Sequence, residues 1–260
     1  MIQRSQIAFR LCVFIFAAGL ALQALWLLST EIIRPNVPYF PIGRAAAEAA
    51  ATQRGTAAVA AGIGVLRGDL WANYALTLST DLLADPSAVK PRAAGGPAED
   101  TRSVAITAAQ LAPTDARIWL LLALFDQRPD SLGRGTPGPL KMSYYTGPNA
   151  VGLIPTRLLI ATRSAAIADP ELQDLVSREI RTIVTRRPDL RPALFAAYRE
   201  AVPEGRRFIE SKVGELDRNL SASIRSSVPP QQGAQSPSGS PQQQRGTAGG
   251  QPSPDSSQRQ

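Results

Sequence analysis

Residues Ile7–Leu28, IAFRLCVFIFAAGLALQALWLL, contain Arg10 and Gln23 as their strongly polar members, and from Leu11 to Leu28 there is no charge. About 20 apolar residues rising about 1.5 Å each cross a hydrocarbon core about 30 Å thick, so the stretch reads as a membrane-spanning helix. Residues 1–30 are then a cytoplasmic N-terminus and transmembrane anchor, with the rest of the 260-residue chain on one side of the bilayer. Arg4, Arg10 and the α-amino group precede the span without an acid, while Arg34 and Glu31 follow it, a bias that puts the N-terminus in the cytoplasm. Two readings compete. A cleaved secretory signal draws on Arg4, Arg10 and Leu22-Gln23-Ala24, but apolar sequence continues through Leu25-Trp26-Leu27-Leu28, where a cleavage region turns polar. A buried helix of a soluble protein would tolerate Arg10 and Gln23 poorly without partners. Trp26, Tyr39 and Phe40 read as interfacial anchors.

Composition bounds the chemistry of the remainder. Of 28 basic residues 25 are Arg, alanine is abundant and histidine is absent, a bias that points to a high-GC bacterial genome. The expected location is the bacterial inner membrane, single-pass, with the main domain periplasmic. Cys12 is the only cysteine and lies within the span, so the exported part has neither disulfide nor thiol chemistry. Without His or Cys outside the span, most metal sites and nearly all Ser/His or Cys/His nucleophilic arrangements are excluded. No cofactor, metal or catalytic residue is expected. Net charge is +7, but residues 31–226 hold 24 basic and 20 acidic side chains. The basic stretch Arg178, Arg181, Arg186, Arg187 and Arg191 scatters around a helix at 100° per residue, with Glu179 and Asp189 interrupting. It reads as a solvated surface, not a nucleic-acid site.

Pro35, Pro38 and Pro41 interrupt helix after the span, and residues 31–43 read as an extended stalk. An α-helical domain over 44–226 follows. Ala45–Leu66 is alanine-rich and punctuated by glycine. Gly68-Asp69 turns into a helix with Leu70, Tyr74, Leu78 and Leu82, stopped by Asp85-Pro86. A helix capped by Asp100 or Thr101 ends before Ala112-Pro113, and Thr114 or Asp115 opens the next, which carries Ile118, Leu121, Leu122 and Phe125. Residues 86–98 and 127–139 read as loops, Leu140–Tyr145 as a short helical piece, Asn149 as a cap for the next helix and Pro155 as a first-turn residue or a kink. Asp169-Pro170 opens a helix with the apolar stripe Leu172, Leu175, Val176, Ile180, Ile183 and Val184. Asp189 opens another, and Pro203-Glu204-Gly205 turns into a last one bearing Phe208, Ile209, Val213, Leu216 and Leu220. No alternating strand pattern appears, so the fold class is all-α. Residues 227–260, rich in Pro, Gln, Ser and Gly, read as a disordered tail.

One junction resembles a known repeat. Ala108, Leu111 and Pro113 followed by Trp119, Leu122 and Ala123 have the spacing of the boundary between consecutive tetratricopeptide repeats. There, proline stops one helix, a small residue lets its neighbour approach and a large ring fills the groove. Tyr144–Asn149 and Thr185–Asp189 look like weaker versions. Asp126 stands where the pattern prefers an aromatic, the loops at 86–98 and 127–139 are too long for a strict 34-residue period, and Gly68-Asp69 fits one residue out of register. The resemblance, over about residues 60–200, implies a TPR-like stack of antiparallel helix pairs with a concave surface for a peptide or partner protein, a scaffold and not a catalyst.

The partner-binding candidates are Tyr144, Tyr145 and Asn149, adjacent aromatics beside a Gly-Pro turn. The plainer reading of the same residues packs one tyrosine inward and uses Asn149 as a cap. Trp71 and Trp119 read as groove-filling core. Glu99/Asp100 and Asp81/Asp85 offer carboxylate pairs of the kind a glycan-processing enzyme uses, though Asp100 also serves as a cap and Asp85 as a pre-proline stop. The expected function is a membrane-anchored periplasmic scaffold for envelope proteins, with polysaccharide synthesis or export as the pathway by analogy. The alternative is an envelope glycan-binding module or glycan-processing enzyme.

Overall fold

In the computed structural model, which describes residues 2–85, 97–127 and 137–228, every regular element is helical and no strand occurs among the described residues. The tail at 229–260 and most of the two loop expectations, 86–96 and 128–136, lie outside the described residues.

Helix α1, Ile2–Ile32, is continuous because nothing between Gln3 and Ile32 breaks it, and its Phe9–Ile32 segment is long and apolar enough to cross a membrane. Leu11, Phe14, Phe16, Leu22 and Leu25 are all exposed on it. Residues 34–43 are irregular, as their prolines require. They are not a free spacer, however. Pro35 and Pro41 are buried, Phe40 and Ile42 pack on the core, and the Gly43 N–H donates to the Leu83 carbonyl at 3.0 Å. Phe40 therefore belongs to the domain and not to a membrane interface, and Tyr39 lies under the Arg117 guanidinium, 5.3 Å from its ring centroid.

The alanine-rich segment forms two helices, α2 (Arg44–Thr52) and α3 (Arg54–Ile63), separated at Gln53. The next pattern also divides, into α4 (Gly68–Leu78) and α5 (Thr80–Ala84). At that break the Ser79 N–H is shared between the Ala75 and Leu76 carbonyls. Helix α6 (Pro97–Leu111) begins ahead of the expected start, so Asp100 lies in its first turns and does not cap it. Asp115 caps α7 (Ala116–Asp126), accepting from the Arg117 N–H at 2.9 Å. Helices α8 (Pro137–Thr146) and α9 (Ile154–Arg163) follow, the latter with Pro155 in its first turn, and Asp169 caps α10 (Pro170–Thr185). Asp189 caps nothing: its carboxylate is held by Arg187, and α11 (Arg191–Glu200) starts after a short 3₁₀ turn. The last expected helix is two, α12 (Pro203–Leu216) and α13 (Arg218–Ser226), because the Asp217 side chain turns to accept from the Leu220 N–H.

Alternate helices stack in two rows, α7 on α9 on α11 and α8 on α10 on α12, around one apolar core. The turns between helices repeat. Gly64, Arg67 and Leu70 donate from their N–H groups to Ala60, Gly64 and Arg67, and Ala112, Asp115 and Ile118 donate to Ala108, Ala112 and Asp115. Gly147, Ala150 and Leu153 do the same to Ser143, Gly147 and Ala150. Trp71 and Trp119 occupy the same place in the first two turns, each donating its indole N–H to the carbonyl six residues before it, Val65 at 3.2 Å and Pro113 at 2.7 Å. Successive turns touch through small residues. A Cβ on Gly68 would stand 2.5 Å from Ala112 Cβ, and one on Gly147 would stand 2.6 Å from Ala116 Cβ. These are one contact made twice, since Gly68 holds in the first turn the place of Ala116 in the second, and Ala112 that of Gly147.

Candidate functional site

The fourth turn begins like the others, with the Arg186 N–H donating to the Thr182 carbonyl at 2.9 Å, and is then one residue longer. The residues that would make the third small-residue contact are here Val151 and Arg186. Both are too large for the close approach that Gly68 and Gly147 allow. Both line a groove of about 340 Å³, together with Pro148, Asn149, Arg178 and Glu179. The break in the series of small residues is therefore where the stack opens.

Beneath the groove lies a buried polar cluster. Arg157 on α9 is fully buried; its Nε donates to Ser143 Oγ at 3.0 Å, its Nη2 donates to the Ser143 carbonyl, and its Nη1 is 3.5 Å from Glu179 Oε1. Ser143 Oγ donates to the Ala116 carbonyl at 2.9 Å. Tyr144 donates its hydroxyl to Glu179 Oε2 at 2.8 Å, and its ring carries the Arg157 guanidinium 4.7 Å from the centroid. The cluster thus ties α8, α9 and α10 together. Burial pushes the Glu179 carboxyl up to about 7, although Arg157 and the Tyr144 hydroxyl act the other way. Burial, with Glu179 second, raises the Tyr144 hydroxyl well above its usual 10.

This carboxyl gives a pH dependence of defined sign. Its folded value is raised above the unfolded 4.5, so its contribution to stability is full below pH 4.5 and is lost as pH rises to about 7. The loss should be on the order of 3 kcal/mol. Thermal melts of the full chain in detergent at pH 4.5 to 8 are expected to show that decline relative to Glu179→Gln; parallel profiles would refute the assignment.

The three expected binding residues part company. Tyr144 is buried at the floor and Asn149 is exposed at the rim of the same groove, but Asn149 caps no helix: the following 3₁₀ turn starts from Ala150 without a side-chain bond. Tyr145 is half exposed and does not line the groove; its hydroxyl donates to Glu171, beside Lys141, which bridges Glu171 at 2.8 Å and Asp169 at 3.0 Å. The pair therefore cannot act as one aromatic platform. Of the basic stretch, Arg187 pairs with Asp189 at 2.7 Å and Arg191 turns inward to the Val184 carbonyl. Arg178 and Arg186 are exposed at the rim and have no carboxylate partner among the described residues. Arg157 and Glu179 had a readable signal in the sequence: Glu179 falls on the apolar stripe of α10, between Val176 and Ile183, and Arg157 on that of α9, between Ile154 and Ala161.

A second groove, of about 350 Å³, brings Asp81 and Asp100 together with Arg54, Tyr74 and Phe125, a combination of carboxylates different from the pairs adjacent in sequence. Among the described residues no group of three or more His, Cys, Asp or Glu could hold a metal ion. At the first groove, two-carboxylate glycoside hydrolysis needs carboxyls roughly 5–9.5 Å apart across the bond, and Glu179 is the one carboxyl in its lining. What the arrangement offers chemically is two guanidinium groups, without a carboxylate partner among the described residues, above an apolar wall and an amide, donors whose geometry suits carboxylate oxygens. No protein-family model, no curated protein and no solved structure matches the chain.

Proposed function

We propose that the chain is a single-pass protein of a bacterial inner membrane, its N-terminus cytoplasmic and its helical domain periplasmic, and that this domain is a TPR-like scaffold of antiparallel helix pairs for envelope proteins. The observation that carries the reading is the repeated turn: the same three hydrogen bonds at Gly64, Ala112 and Gly147, with α4 on α7 and α7 on α9 following them. Stacking of one supersecondary unit on the next is how helical-repeat proteins build elongated binding surfaces. The span of α1 and the charge bias around it support the anchor and its orientation. Where the stack opens, Arg178 and Arg186 favour an acidic segment of the partner. The pathway, polysaccharide synthesis or export, is proposed by analogy alone.

A periplasm-active reporter on the C-terminus should be active and stay with the membrane after alkaline washing. An inactive fusion would place the domain in the cytoplasm, and an active soluble one would make α1 a cleaved signal. Partners recovered by crosslinking from solubilised membranes should be lost with Arg178→Glu and Arg186→Glu together. Each charge-assisted contact contributes about 1.5–3 kcal/mol, so with both lost the affinity should fall at least roughly a hundredfold. Undiminished recovery would move the partner surface elsewhere.

A further inference from the structure

The first of the repeated turns is chemically unlike the others. At the two exposed positions where the second turn has Pro113-Thr114 and the third has Pro148-Asn149, the first has Val65-Leu66, 58% and 75% exposed. The sequence leading into it, Gly55–Leu66, GTAAVAAGIGVL, contains no charged residue. Gly55, Val59, Gly62 and Leu66, at helical spacing, are all exposed, so α3 turns an uncharged and partly apolar face outward.

This turn lies beside the end of α1. Trp26 Nε1 donates to the Ile63 carbonyl at 3.0 Å, and Arg67 Nη1 donates to Thr30 Oγ1 at 2.9 Å and to Glu31 Oε2 at 3.2 Å. The chain from Ile63 to Arg67 therefore runs alongside Trp26 to Glu31, and Val65 and Leu66 sit level with the last turn of the apolar run. Trp26 is six residues, about 9 Å, short of the end of that run at Ile32. Just beyond the turn Glu31, Arg34, Arg67 and Asp69 form one network, and at the far end of α3 the Arg54 guanidinium turns to the Thr77 carbonyl. Three carbonyls of the turn have donors: Ile63 accepts from Trp26, Gly64 from the Arg67 N–H and Val65 from the Trp71 indole. Backbone near hydrocarbon must find such internal donors, and tryptophan belongs at the bilayer boundary.

We propose that the Val65–Leu66 turn and the outward face of α3 rest in the interface of the bilayer that α1 spans, so that the helical domain lies against the membrane instead of standing off on a stalk. The proposal rests on the membrane reading of α1. Its occupant is lipid, because the patch is continuous with the lipid-facing surface of that helix.

The test uses the full chain in a Cys12→Ser background, reconstituted in phosphatidylcholine/phosphatidylglycerol vesicles, with one cysteine at a time carrying a polarity-sensitive fluorophore: Phe14→Cys, Leu66→Cys or Thr114→Cys. With acyl-chain-brominated lipid, Phe14 and Leu66 probes should both lose intensity and Thr114 much less. A probe at Val59→Cys should be quenched likewise, and should lose that quenching when Val65 and Leu66 are both replaced by Glu; circular dichroism checks that this surface variant stays helical. Quenching at Phe14 with none at Leu66 would overturn the proposal and leave the anchor standing. Quenching at neither would overturn the anchor and the proposal together. A blue-shifted Leu66 probe insensitive to bromine would mean that protein, such as a second copy of the chain, covers the turn, which also overturns it.

Discussion

At pH 8, above the Glu179 value of about 7, replacing Arg157 by methionine is expected to destabilise the helical domain by about 3–5 kcal/mol, the cost of breaking a buried ion pair by removing one partner, and by less at pH 5, where Glu179 takes a proton. Arg157 is fully buried and makes bonds to the hydroxyl and carbonyl of Ser143 while facing Glu179. Methionine fills much of the volume but leaves Glu179 without its cation and Ser143 with acceptors unanswered in a dry site. The loss should be measured by thermal or urea unfolding of the full chain in detergent. It should be recovered in part by Arg157→Met with Glu179→Leu, since this removes the uncompensated charge but leaves Ser143 and the Tyr144 hydroxyl without their partners. A single substitution costing under about 1 kcal/mol would mean that water reaches the cluster and that it does not hold α8, α9 and α10 together.

Gly147→Val should cost about 1–3 kcal/mol or more, because its Cβ would stand 2.6 Å from Ala116 Cβ and 3.3 Å from Ala150 Cβ. The interest lies in the coupling. If the turns stack through a repeated small-residue contact, Ala116→Gly in the same chain should restore part of the loss, whereas Ala112→Gly, one step along, should not restore it. A double-mutant cycle reads this directly, and equal effects of the two partners would deny the repeat.

Elements governed by local chemistry were legible in the sequence. Asp169-Pro170 capped α10 and its apolar stripe is buried as spaced; Asp115 capped α7; Pro155 entered the first turn of α9. Errors arose where another partner took the residue that a simple local rule had assigned. A sequence neighbour, Arg187, took Asp189 from its expected cap, and the core took Phe40 and Ile42 from the expected stalk. Ser79 and Gln53 broke helices that no Pro or Gly marked there, and Asp217 stopped α12 without either. The groove was half visible. Tyr144 and Asn149 stood out beside their Gly-Pro turn, and the separation of Tyr145 from Tyr144 is the roughly 100° between adjacent helix residues, which the reading with one tyrosine inward already contained. The pairing of Arg178 with Arg186 at one rim could not be read before α8 was known to lie against α10.

The central claim is that the groove beneath Asn149 holds a partner protein at the membrane. A photocrosslinking residue at position 149 of the full chain, activated in intact cells, should give one discrete adduct that is membrane-associated, weakened by Arg178→Glu with Arg186→Glu, and absent when the same residue stands at the exposed Glu200 position. No adduct at position 149, or one that ignores both the charge reversal and the change of position, would contradict the account.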